Sequence, residues 1–196
     1  MKKCEVCFLR GKIALLFLMG GLFIIAFSIF QIVSSKQQTK ETLEKAEKYI
    51  EEARNKEAGE TKYVNNEEQL IGILRVPKLH ASLPIIEGTD EQELEKGVGH
   101  YNGTALPEEG EQIVLSGHRD TVFRNFDKLE IGDLFIVELP DGTYTYEILF
   151  TEVVDADDTT VIGSKGEEVL TVTTCYPFHY IGNAPERFIF YAYPVN

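Results

Sequence analysis

The chain has no tryptophan, two methionines and only three cysteines among 196 residues. Positive charge is also scarce: 19 Lys and Arg face 32 Asp and Glu, a formal net charge of −13. A surface so acidic repels phosphate backbones, which excludes nucleic acid as a partner. No internal repeat or low-complexity segment is present. The cysteines stand at 4, 7 and 175, so two crowd one end and the third is alone.

One long apolar run is present. From Ile13 to Val33 every residue is apolar except small Gly and Ser and a late Gln31. These 21 residues match the roughly 20 needed to span a hydrocarbon core. Lys2, Lys3, Arg10 and Lys12 precede the run against a single Glu5, the bias of a cytoplasmic flank. The run therefore reads as an uncleaved anchor with its N-terminus inside and residues after it exported. A cleaved signal peptide is the competing reading, but its apolar core is shorter and ends at a small-residue site, which Ser34-Ser35 only weakly supplies. This topology leaves Cys4 and Cys7 in the cytoplasm. Their C-x-x-C spacing lacks the second ligand pair of a zinc site, and membrane-proximal thiols are the plainer reading. Cys175 is then the sole exported thiol and has no partner for a disulfide within the chain.

Residues 36–62 hold seven basic and seven acidic residues and one thin apolar stripe, Leu43, Ala46, Tyr49 and Ile50, at helical spacing. Glu41/Lys45 and Glu44/Lys48 have the favourable i,i+4 order. The segment reads as a solvated helical stalk ended by Gly59. The domain plan is a tail at 1–12, an anchor at 13–33, a stalk at 34–66 and a globular domain at 67–196.

That last part switches to short strand patterns, at Leu70–Val76, Leu83–Glu87, Glu111–Ser116, Leu134–Leu139, Thr143–Val154, Val169–Thr174 and Phe188–Tyr193. Asp141-Gly142 marks a hairpin. Residues 89–97 predict a short helix with Thr89 as N-cap and Gly97 as stop. Residues 121–133 predict a helical turn and then a loop. Closely spaced strands with minor helices predict a mainly β fold, a closed barrel or a sandwich. From Val64 onward there are 24 acidic and 8 basic residues. Solubility explains this balance. A calcium site near Glu108, Glu109 and Glu111 or near Asp155, Asp157 and Asp158 is the functional alternative, although no EF-hand pattern occurs.

A lone exported thiol invites nucleophilic chemistry, which needs a basic neighbour, an acid for the leaving group and donors for an oxyanion. His118 follows the apolar strand "IVLSG" at its polar end, where Gly117 permits close backbone approach. His179 is its rival by nearness in sequence to Cys175. His100 follows a glycine-rich turn and lines a pocket or holds a loop, and His80 has no informative setting. Arg187 opens the Phe-Ile-Phe-Tyr strand. It serves the thiol if that strand lies beside the one ending in Cys175, and is otherwise a surface arginine.

Three stretches in this order, "SGHRDT" with His118, "LTVTTCYPF" with Cys175 and "APERF" with Arg187, resemble the sortases, the membrane-anchored cysteine transpeptidases of Gram-positive bacteria. The family's Thr-Leu-x-Thr-Cys signature stands here as Thr171-Val172-Thr173-Thr174-Cys175. "RVPKLHASLPIIEGT" and "GVGHYNGTALPEEGE" extend the likeness over the exported domain, and the Cys-Tyr-Pro-Phe sequel looks most like class D. The resemblance implies a closed eight-stranded β-barrel with short helices and no cofactor. It implies that Cys175 attacks a Leu-Pro-x-Thr-Gly/Ala-type sorting signal after Thr. His118 acts as acid and then base, Arg187 stabilises the oxyanion, and a peptidoglycan amine accepts the acyl group. Thr174 is an added donor in that scheme. Asp120 shares a strand face with His118 and either orients it or belongs to the loop surface. "ALPEEG" at 105–110 reads as a turn. Another exported cysteine peptidase or a peptidoglycan amidase is the competing enzyme, and an anchored acidic binding module the non-enzyme.

Overall fold

A computed structural model describes residues 2–55, 69–179, 182 and 184–195, with side chains from residue 15 onward. Two compact units emerge, residues 1–37 and 38–196. The first is the N-terminal part of helix α1 (Lys2–Asn55). It carries a stretch long and apolar enough to cross a membrane, none of it buried within the protein. The predicted stop at Gly59 lies outside the described residues.

In the second unit, eight strands close into a barrel: β1 (Leu70–Val76), β2 (Ala81–Glu87), β3 (Val98–His100), β4 (Gln112–Gly117), β5 (Leu134–Glu138), β6 (Thr143–Asp155), β7 (Val169–Tyr176) and β8 (Glu186–Pro194). Their order around the wall is β1-β2-β3-β4-β7-β8-β6-β5, and β5 pairs with β1 to close it. All neighbours are antiparallel except β2/β3 and β4/β7. Alternation along each strand fills the lumen with one set of side chains. Leu74, Ile85, Leu115, Phe135, Leu170, Val172 and Phe190 are at most 2% exposed there. Phe123 and Phe126, from the β4–β5 connection, plug the interior with rings stacked at 4.1 Å. Tyr146 donates to Glu168 Oε1 at 2.7 Å. Burial first, and then the Glu168 carboxylate, holds its phenol far above the ordinary tyrosine range. At the closing seam Arg75 grips Glu138 with two hydrogen bonds, 2.7 and 3.0 Å.

The apolar stripe of residues 38–55 is a seam, not a solvated face. Ala46 is 0% and Ile50 4% exposed, packed with Leu43 and Tyr49 against the outward-facing Leu70, Ile73 and Ile86 of β1 and β2. Arg54 extends the contact, its Nη2 donating to Leu139 O at 3.3 Å and Thr143 Oγ1 at 3.2 Å. Two turns of stripe suffice because the barrel wall supplies the other half of the apolar surface.

The β5–β6 hairpin forms, but its turn is Leu139-Pro140-Asp141-Gly142, closed by Gly142 N–H donating to Leu139 O at 3.3 Å, with Leu139 N–H donating back to Gly142 O at 2.8 Å. Proline suits the second position of such a turn, so Asp141-Gly142 does not form the two-residue loop its sequence suggests. Helix α2 (Glu91–Lys96) starts one residue later than expected, with Asp90 rather than Thr89 at its N-cap, and stops at Gly97 as expected.

Candidate active site

The last rung of the parallel β4/β7 ladder pairs Gly117 with Thr174. His118 is the next residue on one chain and Cys175 the next on the other, so they stand abreast at neighbouring strand ends. Antiparallel β8 places Arg187 directly opposite Cys175. Residues opposite each other across a pair share a face. Leu170, Val172 and the buried Thr174 face the lumen, so Cys175 and Arg187 face outward. Cys175 is a free, half-buried thiol.

The surroundings hold these chain ends still. Thr174 Oγ1 donates to Gly117 O at 2.8 Å, a rung added inside the wall. That hydrogen bond uses the only hydroxyl proton Thr174 has, so the side chain expected to serve the substrate ties β7 to β4. Tyr176, Phe178, Phe188 and Phe190 form a ring cluster with centroids 4.8–5.6 Å apart, and Phe178 reaches the core. The chain leaving Cys175 is thereby anchored. On the other side, Phe123 N–H donates to His118 O at 2.9 Å. The Phe123 ring lies against Gly117, where an added Cβ would meet ring carbons at 2.7 Å. Gly117→Ala is expected to cost about 1–3 kcal/mol, because the buried ring cannot yield without repacking. Urea unfolding with an unchanged m-value and a lower midpoint checks this.

The other expected residues disperse. His179 is 87% exposed and its Nε2 lies 3.5 Å from Asp127 Oδ2. His100 is 3% exposed; its Nδ1 meets Glu87 Oε2 at 2.8 Å and its Nε2 meets Ala105 O at 3.0 Å. It staples the 101–111 loop to β2, and both ring nitrogens are occupied within the protein. His80 closes a turn at Pro77–Leu79 with φ 49. Asp120 lies against Arg119, with Oδ1 and Oδ2 at 3.2 and 3.1 Å from its guanidinium. The carboxylate found near His118 is Glu91, Oε1 at 3.7 Å from Nε2, contributed by α2. Arg187 Nη1 donates to Glu186 O at 3.0 Å and Ala184 O at 3.4 Å. Its Nε and Nη2 make no further hydrogen bond among the described residues.

Some carboxylates of each acidic cluster are engaged locally. Glu109 accepts from Leu106 N–H, Glu111 from Ser164, and Asp158 from Thr160. The Thr160 hydroxyl and N–H hold the Asp158 carboxyl below its usual range. Among the described residues no three His, Cys, Asp or Glu side chains gather as a metal site would require.

The register thus brings the backbones of residues 118, 175 and 187 to one end of a closed β-barrel. A Sortase domain family model matches residues 74–195. Sortase D of Bacillus subtilis (strain 168) is 44% identical over 195 residues, covering 93% of this chain and 98% of that protein. A Clostridium perfringens Sortase D5 transpeptidase superposes with TM-score 0.65 at 28% identity, over 82% of this chain and 99% of its own. Sortase C1 from Streptococcus suis gives TM-score 0.60 at 31% identity, over 66% and 74%. The chain belongs to the sortase family, the cysteine transpeptidases of cell-wall sorting, and its likeness extends to class D members.

Proposed function

We propose that Cys175 cleaves a C-terminal sorting signal of the Leu-Pro-x-Thr-Gly or Leu-Pro-x-Thr-Ala type after its threonine. The Cys175 sulfur bonds to the threonine carbonyl carbon, the C–N bond breaks, and His118 delivers the proton that the departing amine takes. Arg187 donates to the carbonyl oxygen as negative charge develops there. A peptidoglycan amine then attacks the thioacyl carbon, gives its proton to His118 and releases the sulfur. No cofactor enters either step. What supports this reading is the strand register, which brings residues 118, 175 and 187 to one end of the wall.

In this reading residues 13–33 anchor the protein in the cell membrane and residues 1–12 stay inside. The 34–66 segment leads to an extracellular catalytic domain from residue 67. The basic residues before the apolar run support that orientation.

The test uses the full chain in detergent with a panel of Leu-Pro-x-Thr-Gly and Leu-Pro-x-Thr-Ala peptides and mass detection. The expected result is an acyl adduct on Cys175 that added amine diverts from hydrolysis to ligation. No adduct with any peptide would refute the reading. An adduct that only hydrolyses, whatever the amine, would point instead to a cysteine peptidase or amidase.

A further inference from the structure

The mechanism above leaves one buried charge unused. Arg119 follows His118 directly, and its side chain is only 5% exposed. Charged side chains are seldom so buried without a defined partner. Its Nη1 donates to Pro177 O at 2.7 Å, while Nε and Nη2 lie 3.2 and 3.1 Å from the two Asp120 carboxylate oxygens. One end of this contact is the covalent neighbour of His118, and the other is two residues beyond Cys175.

The β4/β7 ladder has its last rung at Gly117 and Thr174, so it holds nothing past that point. Below His118 and Cys175 lies the bond from Thr174 Oγ1 to Gly117 O. Above them lies the bond from Arg119 to Pro177. The thiol and the imidazole are bracketed between these two cross-ties. Both anchorages are firm: Phe178 packs into the core after Pro177, and Phe123 N–H holds the His118 carbonyl. The exposed Asp120 accepts from Nε and Nη2, one edge of the guanidinium, and fixes the plane in which Nη1 points at the carbonyl.

We propose that Arg119, aligned by Asp120, is a positioning residue that sets the spacing between His118 and Cys175. It touches neither substrate nor reacting atoms. This inference rests on the reading of Cys175 as nucleophile and His118 as its acid and base. Lysine cannot replace it fully, because one ammonium cannot satisfy Pro177 O and the Asp120 fork together.

The test measures ligation by the full chain in detergent for Arg119→Met, Arg119→Lys and Asp120→Ala, each with His118 present and in a His118→Ala background. A misplacement of about 1 Å costs on the order of 100-fold in rate. Arg119→Met is therefore expected to lower kcat by about 100-fold with KM within about twofold, and Arg119→Lys to recover about tenfold of that loss. In the His118→Ala background Arg119→Met should cost less than about threefold, since residues acting as one unit are not additive. Should Arg119→Met not fold, the other two variants carry the test, each about tenfold down in kcat at wild-type KM. Wild-type kcat in all folded variants, or an equal loss with and without His118, overturns the proposal. A wild-type protein that forms no Cys175 adduct overturns the underlying reading and the proposal with it.

Discussion

Cys175→Ala is expected to abolish the thioacyl adduct and lower transpeptidation by on the order of 10⁴-fold or more, because in the mechanism proposed above its sulfur carries the covalent intermediate. Removing one sulfur atom leaves Thr174 bonded to Gly117 and leaves the aromatic anchor beyond Cys175 untouched. The variant should therefore unfold at the wild-type temperature within about 2 °C and keep its affinity for the signal peptide within a few-fold. That combination separates a nucleophile from a structural thiol. The assay is best run with Cys4 and Cys7 replaced by serine, so that any adduct reports position 175 alone. Undiminished turnover in Cys175→Ala would assign the chemistry elsewhere, and peptide binding without turnover in wild type would favour a binding module.

Arg187→Lys should be nearly as harmful as Arg187→Ala, with kcat down about 100-fold or more and KM changed far less. The reason is geometric. Arg187 stands opposite Cys175 in the ladder, and its Nη1 is already committed to the carbonyls of residues 184 and 186. A guanidinium can anchor itself with one nitrogen and present others in fixed directions. An ammonium on a flexible stem must choose. Steady-state kinetics on both variants checks this, and wild-type kcat in Arg187→Lys would remove Arg187 from the oxyanion role.

Strands were legible where a run of five or more apolar, β-branched or aromatic residues stood between turn residues, as in β1, β5, β6 and β8. β3 was not: Val98-Gly99-His100 is too short to show a period, and it exists only because β2 and β4 flank it. The β4/β7 pairing was also hidden, since nothing local marks two distant strands as parallel neighbours. Resemblance, not periodicity, pointed to residues 118, 175 and 187 together. At Asp120 the sequence left two readings open, a shared face with His118 or the loop surface; the strand ends at Gly117, and the exposed carboxylate lies against Arg119. Arg119 itself was overlooked because a charged residue after a strand reads as surface. Its one available signal was the adjacent Asp in "GHRD". The stripe at 43–50 was seen, but a single chain segment does not reveal which surface covers it.

The union of β4 with β7 joins segments 57 residues apart. Closing so long a loop is an entropic expense that local strands and hairpins do not carry, so such contacts form slowly. A chain in which that loop is still open lacks the register that sets residue 118 beside residue 175. In the reading proposed above, the thiol gains its acid and base only once this long loop has closed.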